Sequence, residues 1–246
     1  MLSQKATLIF SCVLLVLVLL FSGCGNTTVA AQNAADHQVD TFAIGMNPAR
    51  DYLIIVNDDN EYQFSSTYSK ELMDDIIYMS DIYGDPTPLE KGANLAFSLL
   101  RQKLFEKGVM IELYSGYRDK RMQQEIYDYY GSLEGWAETN KVAKPGFSEH
   151  HTGLLLSIVI WGEAEDGTMT WMTETAERQA TRPEFKIVHE TLADFGFIDR
   201  YPAGKEEITG VPCEPYEIRF VGSSIVAHEI MDNNLCLEEY VYNKFY

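Results

Sequence analysis

Residues 153–161, GLLLSIVIW, form an almost unbroken apolar run opened by a glycine. A run of that length, rich in β-branched residues, reads as a long strand. Three shorter segments join it as strands: YLIIV (52–56), VMIELY (109–114) and YEIRFVG (216–222). Between them lie helical patterns. Ala93, Ala96, Phe97, Leu100 and Leu104 recur at helical spacing between Leu89 and Lys107, and Gly108 ends that helix. A second helix is expected from Asp119, with Met122, Ile126 and Tyr129 on one face, and a third carries Phe185, Val188, Leu192 and Phe195 up to Gly196. Ser223 or Ser224 is placed to cap a final helix running through Met231. Mixed strand and helix blocks of this kind predict an α+β domain, a small mainly antiparallel sheet flanked by helices. Residues 165–183 fit no element and read as a surface loop or insertion.

The N-terminus bears on where the domain works. Lys5 precedes the apolar run ATLIFSCVLLVLVLLF, and Ser22-Gly23-Cys24 follows. A short basic region, an apolar core and a small-residue site make a secretory signal. The cysteine after Ser22-Gly23 resembles the bacterial lipoprotein signal, in which it becomes the lipidated first residue. The competing reading is an uncleaved anchor, since the run approaches the length of a membrane span. Either way the domain is expected outside the cytoplasm, as a membrane-anchored lipoprotein in the first case. The expected organisation is a signal over 1–23, a small, polar tether over 24–50 that includes His37, and one domain over 51–246.

With 19 basic and 37 acidic residues, the formal charge is −18. Such a surface excludes nucleic acid as an expected partner, because binding it takes a cationic face. Of four cysteines, Cys12 belongs to the signal and Cys24 to the lipid site. Cys213 and Cys236 are left either as a disulfide or as two free thiols.

Candidate chemistry gathers in a few places. Zinc hydrolases use three protein ligands and an open position for water, a carboxylate to take that water's proton, and a cation to steady the oxyanion. His150 stands before the long strand, as one such ligand type. Glu214 and Glu217, in EPYEIRF, bracket the entry to another strand. Arg118, in SGYRDK, sits at a strand-to-helix turn suited to holding a substrate carboxylate.

Taken in order, LIIVN, SGYRDKRMQQEIY, KPGFSEHHTGLLLSI, FGFIDRYPAGKEEITG and EPYEIRFVG resemble the VanY-type D-alanyl-D-alanine carboxypeptidases. That resemblance implies removal of the terminal D-alanine from cell-wall stem peptides, with zinc. It implies that His150 is a zinc ligand, Arg118 the substrate-binding arginine and Glu214 the catalytic base. Ser115, Tyr117 and Ser148, in the same motifs, would border the substrate. Two positions depart from the pattern. Ser157 stands where the family has an aspartate ligand, and Glu217 where it has a histidine ligand; Tyr216 also replaces a tryptophan. Glutamate is an accepted zinc ligand, but a neutral hydroxyl is a poor one. His151, His189, His228 and Glu149 are each expected to serve packing or surface roles rather than to replace the missing donor. The resemblance therefore implies a degenerate metal site with zinc weak or absent. Three readings follow: a domain that binds stem peptides with hydrolysis lost or reduced, an active carboxypeptidase holding metal on His150 and Glu217, or an unrelated binding module on the same fold.

Overall fold

The computed structural model describes residues 47, 50–66, 70, 72–74, 76–133, 142–164, 167–172 and 181–245. The signal region, Cys24 and all of the tether except Asn47 and Arg50 lie outside the described residues, as does part of 165–183.

The long apolar run is β4 (Leu155–Glu163), and the sheet is built around it. β3 (Ile111–Ser115) and β7 (Glu217–Phe220) flank β4, β6 (Phe197–Asp199) lies beyond β7, and β5 (Met169–Met172) pairs with the far end of β4. All of these pairings are antiparallel. A separate hairpin, β1 (Ile76–Ser80) with β2 (Pro86–Glu90), precedes the first long helix.

Alternation along the strands divides the two faces of the sheet. Leu156, Ile158 and Ile160 of β4, with Ile218 and Phe220 of β7, enter the main core. Opposite them are α1 (Lys91–Glu106), through Ala93, Ala96, Phe97, Leu100 and Leu104, and α3 (Pro183–Leu192), through Phe185, Val188 and Leu192. Glu90 caps α1 by accepting from the Ala93 amide at 2.9 Å. The opposite face of the sheet carries Ser157, Glu217 and Arg219. A second apolar cluster joins Ile198 and Val221 to α5 (Ser224–Met231) and α6 (Leu237–Phe245). Between β6 and β7 lies the one-turn helix α4 (Glu206–Thr209).

Several expectations are corrected. YLIIV is not a strand: residues 52–56 are turn and irregular backbone. Their carbonyls pair with a side chain instead of a neighbouring strand, since the Arg219 guanidinium donates to Tyr52 O at 3.0 Å and Ile54 O at 2.9 Å. In α2 (Lys120–Gly131), Ile126 points inward as expected, but Met122 and Tyr129 are exposed and Gln123 is the buried residue. That helix covers the cavity rather than the core, lining it with Met122, Gln123, Ile126 and Tyr130. The helix through Met231 is not the last, because α6 follows from Leu237. Ser223 is its cap, accepting from the Val226 amide at 3.4 Å. Cys213 and Cys236 are free thiols, Cys236 buried.

Candidate functional site

A row across the sheet sets up the site. An irregularity in the β3–β4 register after Leu113 brings Ser115 opposite Ser157, and β7 brings Glu217 opposite Ser157 from the other side. Directly paired residues share a face, so Ser115, Ser157 and Glu217 stand side by side over a cavity of about 470 Å3.

Two turns close over this row. One is the loop 115–118. Gly116 is required there, because a Cβ would meet Pro88 O at 2.5 Å and the Leu89 side chain at 2.8 Å. The other is the 3-10 turn Glu149–Thr152, ended by Gly153 in the left-handed region (φ 71°). The turns hold each other. Arg118 N donates to His150 O at 3.2 Å, and His150 Nδ1 lies 2.7 Å from Gly116 O. A carbonyl only accepts, so Nδ1 carries the proton and Nε2 presents a lone pair. His151 Nδ1 likewise donates to Arg118 O at 2.6 Å while its Nε2 accepts from Gly146 N at 3.0 Å. His151 therefore packs beneath the arginine loop, the packing role expected of it. Its neighbour alternates on a tight helical turn, however, and not along a strand.

Arg118 is oriented by neutral partners. Its Nε and one terminal nitrogen donate to Ser115 Oγ at 3.0 and 2.9 Å, and the other reaches Gln123 Oε1 at 3.4 Å. Gln123 is fixed in turn by donating to Ala143 O at 2.7 Å. Ser157 Oγ donates to Glu217 Oε1 at 2.7 Å. His150 Nε2 lies 3.8 Å from that same oxygen, too far for a direct hydrogen bond. Glu217 Oε2 is buried without a partner. Glu214 sits at the cavity wall in the turn before β7, where its carbonyl accepts from Glu217 N at 3.0 Å.

The electrostatics follow from burial. Glu214 is pushed up to about 8, first by desolvation and then by the charge of Glu217. Burial would raise Glu217 as well, but the Ser157 hydrogen bond and the Arg118 charge hold it below the usual carboxylate range. Burial and the Arg118 charge lower His150 and keep it neutral.

Of the residues expected at the site, Arg118, Ser115, Ser148, His150, Glu214 and Glu217 line the cavity, with Ser157 hydrogen-bonded to Glu217. Tyr117 does not; its hydroxyl turns to Met73 Sδ at 3.7 Å. Sequence reasoning missed Gln123 and Tyr201, which also line the cavity, and the support behind it. Glu149 also borders the cavity, and its carboxylate is fully buried between Arg200 and Arg219, accepting at 2.5 and 2.6 Å. Local sequence held no signal for these partners, which lie 51 and 70 residues away.

Fold and cavity together define a carboxypeptidase-like α+β domain with an arginine facing a histidine–glutamate wall. The family model described as VanY, D-alanyl-D-alanine carboxypeptidase, matches residues 87–223, and the chain belongs to that family. It is 31% identical over 223 residues to a D-alanyl-D-alanine carboxypeptidase of Enterococcus faecalis, covering 84% of this chain and 77% of that protein. It spans about half the length of two further curated relatives, from Bacillus subtilis and Enterococcus gallinarum (46% and 56%). Among solved structures it resembles the LdcB LD-carboxypeptidase, described in terms of peptidoglycan recognition (29% identity, TM-score 0.63, covering 78% of this chain and 86% of that one). It also resembles the vancomycin-resistance D,D-pentapeptidase VanY in complex with Zn(II) (30% identity, TM-score 0.57, covering 77% and 98%).

Zinc in such a site takes three protein donors and leaves one position open. His150 has the right second partner, a backbone carbonyl on Nδ1. The rest of the set does not fit. The Ser157 hydroxyl is neutral and spends its proton on Glu217, and among the described residues no group of three or more His, Cys, Asp or Glu could hold a metal.

Proposed function

We propose that this domain binds the D-alanyl ends of peptidoglycan stem peptides, with hydrolysis lost or much reduced. The observation that carries this reading is the 2.7 Å hydrogen bond from Ser157 to Glu217. It joins the two positions at which the resemblance places an aspartate and a histidine ligand. Arg118, aimed by Ser115 and Gln123, is the proposed anchor for the peptide's terminal carboxylate. Ser148 and Glu214 would border the bound peptide. The N-terminal pattern ending at Cys24 supports export and lipid anchoring beside the cell wall.

The test pairs zinc content with D-alanine release and calorimetry on an N-acetylated D-Ala-D-Ala peptide. Binding without turnover is expected, and brisk zinc-dependent release would overturn the reading. A second reading, an active centre with an altered ligand set, draws on the nearness of His150 Nε2 and Glu217 Oε1, 3.8 Å apart, and on the unpartnered Glu217 Oε2. It requires Glu217→Ala to abolish both metal uptake and D-alanine release.

A further inference from the structure

A second cavity, of about 720 Å3, shares no lining residue with the first. Leu53, Ile54 and Ile55 of the N-terminal segment border it, together with Ile208 of α4 and Val241 and Tyr242 of α6. Ile208 is 46% and Tyr242 69% exposed, so apolar surface is left to solvent along this groove. The segment also leaves backbone unmet. Arg219 holds the Tyr52 and Ile54 carbonyls. A trans peptide sets its N–H opposite its C=O, so the amides of Leu53 and Ile55 point away from Arg219. The Asp51 carboxylate accepts from Leu53 N at 2.9 Å. Ile55 N–H and C=O have no partner among the described residues. The segment thus offers a short strand edge that nothing pairs.

We infer that this groove takes an extended, basic segment of a partner protein, added as a strand along Leu53–Ile55. Main-chain hydrogen bonds to Ile55 N–H and C=O hold it, and its alternate side chains enter the apolar groove. The rim selects the charge. Asp51, Glu238 and Glu239 line the groove, and no lysine or arginine is among its described lining residues. Glu238 and Glu239 are already paired with Arg200 and Lys205. Asp59 and Glu207, next in sequence to the lining residues Asn60 and Ile208, are exposed and have no cation paired with them among the described residues. Lysines at the ends of an added strand would meet these carboxylates. A second copy of this chain is the poorer occupant, because it brings the same carboxylates to the same rim and a formal charge of −18 of its own. The segment runs on from Ile55 into Val56, Asn57 and Asp58, which line the Arg118 cavity, so a partner held here lies beside that site. Docking requires nothing of Arg118 and stands whatever that cavity binds.

The probe is the N-acetylated, C-amidated peptide KVTVTVK, titrated into the full chain by calorimetry at low salt. It should bind, and its acidic counterpart EVTVTVE should bind about 10-fold more weakly, the scale of two surface ion pairs. With KVTVTVK bound, hydrogen exchange of the Ile55 amide should slow by at least about 10-fold. N-methylating the alternate amides that face the protein should abolish binding, and methylating the other set should leave it unchanged, because an added strand pairs along one edge only. Ile208→Asp should weaken KVTVTVK by removing apolar surface from the groove. Glu207→Lys, at an exposed position, should weaken KVTVTVK and strengthen EVTVTVE. No binding of KVTVTVK at millimolar concentration would overturn the inference. So would equal binding of the two peptides, equal effects of the two methylations, or an Ile55 amide that stays unprotected. A chain that self-associates in sedimentation and protects Ile55 without peptide would put a second copy in the groove and sink the basic partner.

Discussion

Ser157 and Glu217 act as one unit. An aspartate and a neutral histidine carry the same total charge as a serine and a glutamate, so the swap leaves the formal charge of the row unchanged. What changes is where the proton and the lone pairs lie. The serine's proton occupies one glutamate oxygen, and the donors that would converge on a cation bond each other instead. Restoring one partner alone should not help. Ser157→Asp would set two carboxylates directly opposite across the β4–β7 pair, where like charges repel. The double change Ser157→Asp with Glu217→His should raise zinc affinity by more than about 100-fold over the unaltered chain, since even an outer partner of a ligand is worth about 10–100-fold. Metal analysis after dialysis measures this. An unaltered chain that already retains one zinc per molecule would defeat the expectation.

At the level of elements, the 3-10 turn 149–152 works as a two-sided bracket. One side presents His150 to the cavity; the other inserts Glu149 between Arg200 of the β6 end and Arg219 of β7. All three charged side chains are fully buried. Arg219 also holds the carbonyls of Tyr52 and Ile54, so one glutamate ties the turn, the sheet and the N-terminal segment together. Removing one partner of such a group strands the others without water. Glu149→Ala should therefore destabilise the domain by about 3–5 kcal/mol in urea unfolding, far more than an exposed pair would. A loss below about 1 kcal/mol would mean the arginines find water or other partners, as at a surface ion pair.

For the whole molecule, α6 is docked through ionised carboxylates. Burial would raise Glu238, but the paired Arg200 guanidinium, donating at 2.6 and 3.0 Å, holds it below the ordinary value. Lys205 lowers Glu239 in the same helix, and Tyr240 and Lys244 lower Glu229 of α5. A depressed carboxylate stabilises fully above its unfolded value and loses that contribution as pH falls through its folded value. The Tm gap between the unaltered chain and Glu238→Gln should therefore be widest near pH 6. It should close progressively below about pH 4.5, the ordinary range for a glutamate. A gap independent of pH would remove the ion pair as its cause.

Local sequence pattern by itself determined the elements whose burial is one-sided or complete: β4, α1, α3 and the strand that begins at Glu217. Apolar periodicity reports burial, and these elements bury apolar faces. Motif order pointed to the row of site residues and to the family, because turns such as SGYR and SEH carry their geometry in a few adjacent residues. Only the tertiary structure decided the rest. Residues 52–56 look like a strand, yet among the described residues they have no strand beside them; an arginine 165 residues away in sequence takes the Ile54 carbonyl. Helix α2 turns Gln123 inward to meet Arg118 at the cavity, which no apolar pattern encodes. The pairing of Ser157 with Glu217, 60 residues apart, exists only once β4 and β7 lie in register. Hydrogen bonds between distant side chains leave no periodic trace in the chain, so the chemistry of this wall emerges with the sheet and not before it.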